Sequence, residues 1–260
     1  MHRAYFTMRL VLFGFGFTSY TTKKLKIRDV FADYEHIQEY KGEAPLVVSN
    51  HVSYVDMFFY LMKRVSFLSK ADVGRTPVLG WNCTARQSIY LNRSDEKDRS
   101  KVLELIKERT ARIKEKGDLY PLLIFPEGTI SNGRTLMNFK KGAFFSGDCI
   151  KIYVIKYNSD VQVVASIINI SAILAWFITT CSPLNDITLY EYEDSFDPEY
   201  VYKKYGLNRD DPNAWEKVAE EVKKLMLFAS GMQTSMDGYR ETIDFEKESL
   251  KIGDSRLELV

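Results

Sequence analysis

The chain has 260 residues, 45% of them hydrophobic, enough for one sizeable α/β domain with a well-buried core. Its 36 basic and 35 acidic groups nearly cancel, which argues against a nucleic-acid binder, whose contact face makes a domain basic. Three cysteines (Cys83, Cys149, Cys181) are too few and too scattered for a metal site or a disulfide framework, and read as small apolar fillers in a reducing compartment.

In chain order, the first feature is apolar. Leu10 to Thr22 is a run of thirteen uncharged residues, aromatic at Phe13, Phe15 and Phe17. Arg3 and Arg9 precede it, and Lys23, Lys24, Lys26 and Arg28 follow it. Thirteen residues are too short to span a bilayer, so residues 1–28 are expected to form a membrane-associated segment lying at the interface. The basic flank would favour an anionic leaflet. A core helix is the alternative.

Leu46-Val47-Val48 predicts a buried strand over 46–49, and Met57 to Met62 predicts the body of a helix over 54–63. Between them lies Ser49-Asn50-His51-Val52-Ser53-Tyr54-Val55-Asp56. A histidine and a carboxylate are thus delivered at a strand-to-helix turn, the edge of an α/β sheet where ligands bind. An imidazole there can take a proton from a hydroxyl, with the carboxylate fixing its tautomer. On a regular helix the two side chains would point about 140° apart, so they meet only if His51 lies in the turn. Ser53-x-x-Asp56 is equally a capping box, and the two roles are compatible.

A strand over 65–68 follows, then one over 88–91 that leads into Asn92-Arg93. A guanidinium matches phosphate geometry in a bidentate manner, although a lone arginine also suits a solvated surface. Lys97 to Lys116 predicts a helix with Val102, Leu105, Ile106 and Ile113 on one stripe, ended by Gly117. Leu122 to Phe125 is a second buried strand, followed by Pro126-Glu127-Gly128-Thr129-Ile130-Ser131-Asn132-Gly133. That loop offers glycines for close approach to a ligand, hydroxyls at Thr129 and Ser131, and the Glu127 carboxylate. Read alone, it is also an ordinary polar turn.

A strand over 150–155 completes the set. Val161 to Asn185, twenty-five residues without a charge, reads either as a strand and helix of the core or as a membrane-embedded segment. A last helix is expected from Asp211-Pro212, with Trp215, Val218, Val222, Met226 and Ala229 inward, until Gly231. Alternating strands and helices predict an α/β domain over 29–231, a mainly parallel central sheet flanked by helices. Residues 232–260 read as a polar, loosely held tail.

The order of the blocks resembles the glycerolipid acyltransferases. His51 and Asp56 match that family's His-x-x-x-x-Asp, Arg93 the arginine closing its second block, and Phe125 to Thr129 its Phe-Pro-Glu-Gly-Thr. The longer strings around them look most like the lysophosphatidylcholine and lysophosphatidylethanolamine acyltransferase branch. The strand over 150–155 lacks the proline usual in the fourth block.

The resemblance implies a glycerol-phosphate acyltransferase-like fold and direct acyl transfer from acyl-CoA to the free hydroxyl of a lysophospholipid. It implies His51 as general base, Asp56 as its orienting partner, and Arg93, Glu127, Gly128 and Thr129 around the acceptor. Acyl-CoA is then a co-substrate, with no cofactor and no metal. The expected partners are acyl-CoA, the lysophospholipid and the lipid bilayer, without nucleic acid. The expected place is the endoplasmic reticulum membrane, with the site facing the cytosol. Lysophosphatidic acid or glycerol 3-phosphate as acceptor is a second reading within the class. A catalytically silent lipid-binding membrane protein is another, against which the intact His51/Asp56 pair weighs. A soluble hydrolase is disfavoured, because no Gly-x-Ser-x-Gly turn is present.

Overall fold

Short strands that are apolar on both faces set the architecture. β2 (Leu46–Val48) and β5 (Leu122–Ile124) are buried throughout, as strands of a parallel sheet covered on both sides must be. A computed structural model describes residues 2–37, 43–91, 96–158, 177, 181 and 185–235, with side chains from residue 6 and, within 96–116, from Lys101. Around β2 and β5 stand β1 (Phe17–Leu25), β3 (Ser66–Lys70), β4 (Ile89–Leu91), β7 (Ile150–Tyr157) and β8 (Asn185–Tyr192). Among the described residues these form a seven-stranded sheet in the order β1-β8-β7-β2-β5-β3-β4. From β7 to β4 every pairing is parallel; β8 runs antiparallel to β7 and carries β1 parallel to itself. Two short strands, β6 (Thr135–Leu136) and β9 (Gln233–Thr234), pair apart from it.

The two-residue period of the strands divides the core in two. On one face Leu46, Val48, Leu122, Ile124, Ile150 and Ile152 pack against Ile106 of α4 (Glu96–Lys116) and against Val218, Val222 and Met226 of a C-terminal helix (Ala214–Ser230). On the other, Val47, Leu123, Tyr153 and Ile155 pack against α1 (His2–Gly14), α2 (Val55–Leu61) and α3 (Leu79–Ala85). A further helix, α5 (Pro198–Tyr205), is capped by Asp197, whose side chain accepts from Glu199 N, and precedes the C-terminal helix, α6. α6 ends at Gly231, whose φ of 67° is the left-handed conformation glycine tolerates.

Three expectations are corrected. The apolar run from Leu10 to Thr22 is not one segment: α1 stops at Gly14, Gly16 turns with φ 80°, and Phe17 onward is the edge strand β1. The Thr/Tyr content of 17–22 suits a pleated edge better than a helix. α1 buries Met8 and Leu12 and turns Phe6, Leu10 and Phe13 outward, and no described helix is long and apolar enough to cross a membrane. The stripe predicted on α4 is rotated: Ile106 and Ile113 are buried, but Leu105 faces out. The tail is held at its start, where Gln233–Thr234 pairs with Thr135–Leu136. Apart from Phe177, Cys181 and Asn185, the 161–185 stretch lies outside the described residues, as do 236–260.

Candidate active site

Three neighbouring strands bring the site together. β2 lies between β5 and β7, and Val48 is level with both Ile124 and Ile152. The turn after β2, the loop after β5 and the last residues of β7 therefore meet at one end of the sheet, although far apart in sequence.

At that end the His51 Nδ1 lies 2.9 Å from Asp56 Oδ2. Asp56 is fully buried, whereas the His51 side chain keeps 15% exposure. The same Oδ2 accepts from Val52 N at 2.7 Å and Ser53 N at 3.0 Å, so Asp56 reaches back to the start of its helix while holding the imidazole. Ser53 Oγ accepts from Val55 N at 3.2 Å. Capping and histidine-orienting are one arrangement, because a capping carboxylate is thereby fixed beside the turn. The other oxygen, Oδ1, accepts from the buried Tyr157 hydroxyl at the end of β7. Burial, then the Asp56 charge, push the Tyr157 hydroxyl well above the ordinary tyrosine range, so it stays protonated and donates. Asn50, next to His51, clamps the turn to β7: Nδ2 donates to Ile155 O at 2.9 Å and Oδ1 accepts from Ile155 N at 2.8 Å.

The loop after β5 encloses His51 from the other side. The Phe125 ring stacks on the imidazole, 4.0 Å between centroids and 10° from parallel. Glu127 Oε1 accepts from His51 N at 3.2 Å, and Oε2 from Met137 N at 3.1 Å. Ser131 holds the His51 carbonyl with its N–H at 2.7 Å and its hydroxyl at 3.2 Å. Backbone and ring of His51 are thus fixed independently. Burial lifts the Glu127 carboxyl from 4.5 to about 7, outweighing the two backbone N–H bonds that favour its anion.

A family model described as Acyltransferase matches residues 30–156, which contain both loops and β7 almost to its end. That segment belongs to the acyltransferase family. Among the relatives of this acyltransferase segment, the lysophospholipid acyltransferase LPEAT2 of Arabidopsis thaliana is 34% identical over 151 residues, 57% of this chain and 25% of that protein. Lysophosphatidylcholine acyltransferase 1 of Danio rerio is 30% identical over 193 residues, 74% of this chain and 35% of that protein. The chain therefore spans about a quarter to a third of the length of these relatives. A crystal structure of the 1-acyl-sn-glycerophosphate (LPA) acyltransferase PlsC from Thermotoga maritima has a TM-score of 0.47 at 15% identity, over 82% of this chain and 72% of that one. At that score it adds nothing to the fold already described.

Of the residues expected in the acyltransferase site, His51 and Asp56 are in contact, and Glu127 turns inward onto the His51 backbone. Gly128 takes φ 76°, and the Lys140 side chain runs across it, so close that a Cβ at Gly128 would lie 2.5 Å from Nζ. Thr129 is half-buried on the same loop. Arg93 lies outside the described residues. Tyr157, Asn50 and the stacking of Phe125 were not foreseen. Only Asn50 had a local signal, as a polar residue directly after an apolar strand. His36, Cys149 and Asp197 have potential metal-ligating atoms within 4.8 Å of one another, by the start of β7, at the opposite end of the sheet. Burial pushes the Cys149 thiol up to about 12, which opposes the thiolate a metal takes, and Asp197 is engaged with Glu199 N and Ile37 N.

Proposed function

We propose that this chain transfers a fatty acyl group from acyl-CoA to the free hydroxyl of a lysophospholipid of the phosphatidylcholine or phosphatidylethanolamine series. The observation that carries the reading is the His51–Asp56 pair: a partly open imidazole whose Nδ1 is held by a fully buried carboxylate. With Nδ1 engaged, Nε2 is the nitrogen left for a substrate. It removes the proton from the acceptor hydroxyl as that oxygen attacks the thioester carbonyl carbon. The tetrahedral intermediate collapses with cleavage of the C–S bond, and the imidazolium returns its proton to the departing CoA thiolate. Asp56 orients the ring and balances the imidazolium that forms.

Arg93 is assigned to the acceptor phosphate, because a guanidinium forks onto phosphate oxygens. Lys140, over Gly128, brings a second cation to the loop that holds His51. Gly128 N donates to Phe125 O at 3.0 Å, so this loop contributes shape and charge through Gly128, Thr129 and Lys140. The names of the relatives favour lysophosphatidylcholine and related lysophospholipids over smaller acceptors.

The test is acyl transfer from labelled acyl-CoA by membranes carrying the full chain, offered a panel of lysolipids. Product on lysophosphatidylcholine or lysophosphatidylethanolamine is expected, and loss of about 10²–10⁴-fold in rate in His51→Ala, with unchanged thermal unfolding. Product on lysophosphatidic acid alone overturns the acceptor assignment. No product with any acceptor, or full activity in His51→Ala, overturns the mechanism.

A further inference from the structure

The two helical layers of the sheet differ in what they show to solvent. On the α4/α6 side the outer positions are charged, among them Lys101, Glu104, Lys107, Glu216, Lys217 and Glu220, with Leu105 and Phe228 as isolated apolar exceptions. Single exposed apolar residues of that kind are ordinary. On the α1–α2–α3 side several of the exposed residues are large and apolar. Phe6 (64% exposed), Leu10 (56%) and Phe13 (66%) lie at i, i+4 and i+7 along the outer face of α1, opposite buried Met8 and Leu12. Across the layer, α3 presents Trp81 at 72% exposure, with Val78 just before it. Half-buried Tyr54, Phe58 and Met62 of α2 lie between.

The backbone holds α3 in this pose. Val78 has φ 60°, a costly conformation for a β-branched residue. A Cβ at Gly80 would lie 2.5 Å from the Gly74 carbonyl oxygen, so the start of α3 sits directly on the preceding turn. Trp81 is thus presented by a tightly packed turn.

Charge supplies the second half of the argument. Residues 6–16 and 54–88, which make up this layer and its turns, contain Arg9, Lys63, Arg64, Lys70, Arg75 and Arg86 against Asp56 and Asp72 only. Asp56 is buried, Lys63 pairs with Glu191 and Arg75 with Asp72, which leaves Arg9, Arg64, Lys70 and Arg86 as the surplus of positive charge. The chain as a whole is neutral to within one charge. Exposed apolar side chains on segments with an excess of positive charge fit an anionic lipid surface: aromatic and aliphatic side chains enter the acyl boundary, and the basic groups meet the headgroups.

We infer that the outer face of the whole α1–α2–α3 layer, with Trp81 as a second anchor remote from α1, seats in the headgroup region of an anionic bilayer leaflet. The inference deepens the proposed function and rests on it for its purpose. Phe15 packs on Tyr54 at 5.7 Å and on Phe58 at 5.5 Å, joining the end of α1 to the start of α2, two residues from Asp56. The seated face therefore continues to the edge of the His51 turn, next to a lipid acceptor.

The test uses the full chain and vesicles of phosphatidylcholine with and without phosphatidylserine. Wild type is expected to co-sediment with the serine-containing vesicles, and Trp81→Glu to bind about tenfold more weakly. With Trp176 and Trp215 replaced by Phe, Trp81 emission is expected to shift to the blue on adding those vesicles. Wild-type vesicle binding by Trp81→Glu, with unchanged Trp81 emission, overturns the proposal and leaves α1 as the contact. A change of mass in solution in Trp81→Glu without a change in vesicle binding also overturns it, since the face then pairs two copies of the chain. Acyl transfer to a short-chain lysolipid dissolved as monomers separates the two readings. Trp81→Glu keeps that activity, whereas His51→Ala loses it and still binds vesicles.

Discussion

The Tyr157 hydroxyl donates to one oxygen of Asp56 while His51 Nδ1 holds the other, so a residue 101 positions away in sequence shares the carboxylate that holds the imidazole. The phenol thereby helps to fix the carboxylate in the orientation that meets the imidazole. Tyr157→Phe removes only that donor. The expected result is a loss of roughly tenfold in kcat, the equivalent of about 1.4 kcal/mol. KM should stay nearly unchanged, because buried Tyr157 contacts Asp56 and not the acceptor. A merely structural role would lower the unfolding temperature and leave kcat of the folded protein where it is. Steady-state kinetics, paired with thermal unfolding, distinguishes the two.

Asp56→Asn makes a different demand. Asp56 receives donors from His51, Val52 and Ser53 on one oxygen and from Tyr157 on the other, and an amide supplies one acceptor in place of two. The carbonyl is expected to keep the turn together, but the imidazolium loses its counter-charge. A loss on the order of 10³-fold in kcat follows, with KM nearly unchanged because buried Asp56 does not reach the acceptor. Steady-state kinetics on lysophosphatidylcholine checks it, and a change confined to KM would contradict the assignment.

Glu127 gives a prediction about stability. Its folded-state value of about 7 lies above the 4.5 of a free carboxyl, so the folded state binds the extra proton between those limits. Stability associated with this group is fully present below about pH 4.5 and is lost as pH rises through 7, by about 3 kcal/mol in all. Glu127→Gln abolishes the titration. Denaturant unfolding from pH 4.5 to 8 should show a fall in wild type that is missing in the variant, and parallel profiles would refute the buried titration. The variant should also lose kcat, since an amide nitrogen facing either His51 N or Met137 N pushes a backbone N–H away.

What the sequence disclosed followed from local patterns. The runs 46–48 and 122–124 have no polar residue, and the apolar-to-polar break after each marks where a functional loop leaves the sheet. His51 and Asp56 were readable as a pair because both lie in one turn. β1 was hidden because its uncharged start continued the apolar run of α1, and only the positive φ of Gly16 divides them. Residues 161–185 form an uncharged run that blurred the start of β8 at Asn185. Tyr157 was out of reach for a different reason: its partner is set by the order of β5, β2 and β7 in the sheet, which no window along the chain contains. Glu127 was assigned to the acceptor from its motif, whereas its bonds to His51 N and Met137 N follow from tertiary placement.

Gly128 separates loop shape from loop chemistry. At φ 76° an L-residue is strained by about 1–2 kcal/mol, and the added Cβ of Gly128→Ala would lie 2.5 Å from Lys140 Nζ and 2.8 Å from Cε. A lysine side chain is flexible, so Lys140 is expected to swing away and the backbone strain to remain. Denaturant unfolding should show that loss of stability. Acyl transfer should fall mainly through a higher KM for the phosphate-bearing acceptor, because the cation over the loop has moved while the His51–Asp56 pair has not. The double variant Gly128→Ala/Lys140→Ala should then show no further rise in KM beyond Lys140→Ala alone. Additive effects on KM would mean that Lys140 does not act through its place over Gly128.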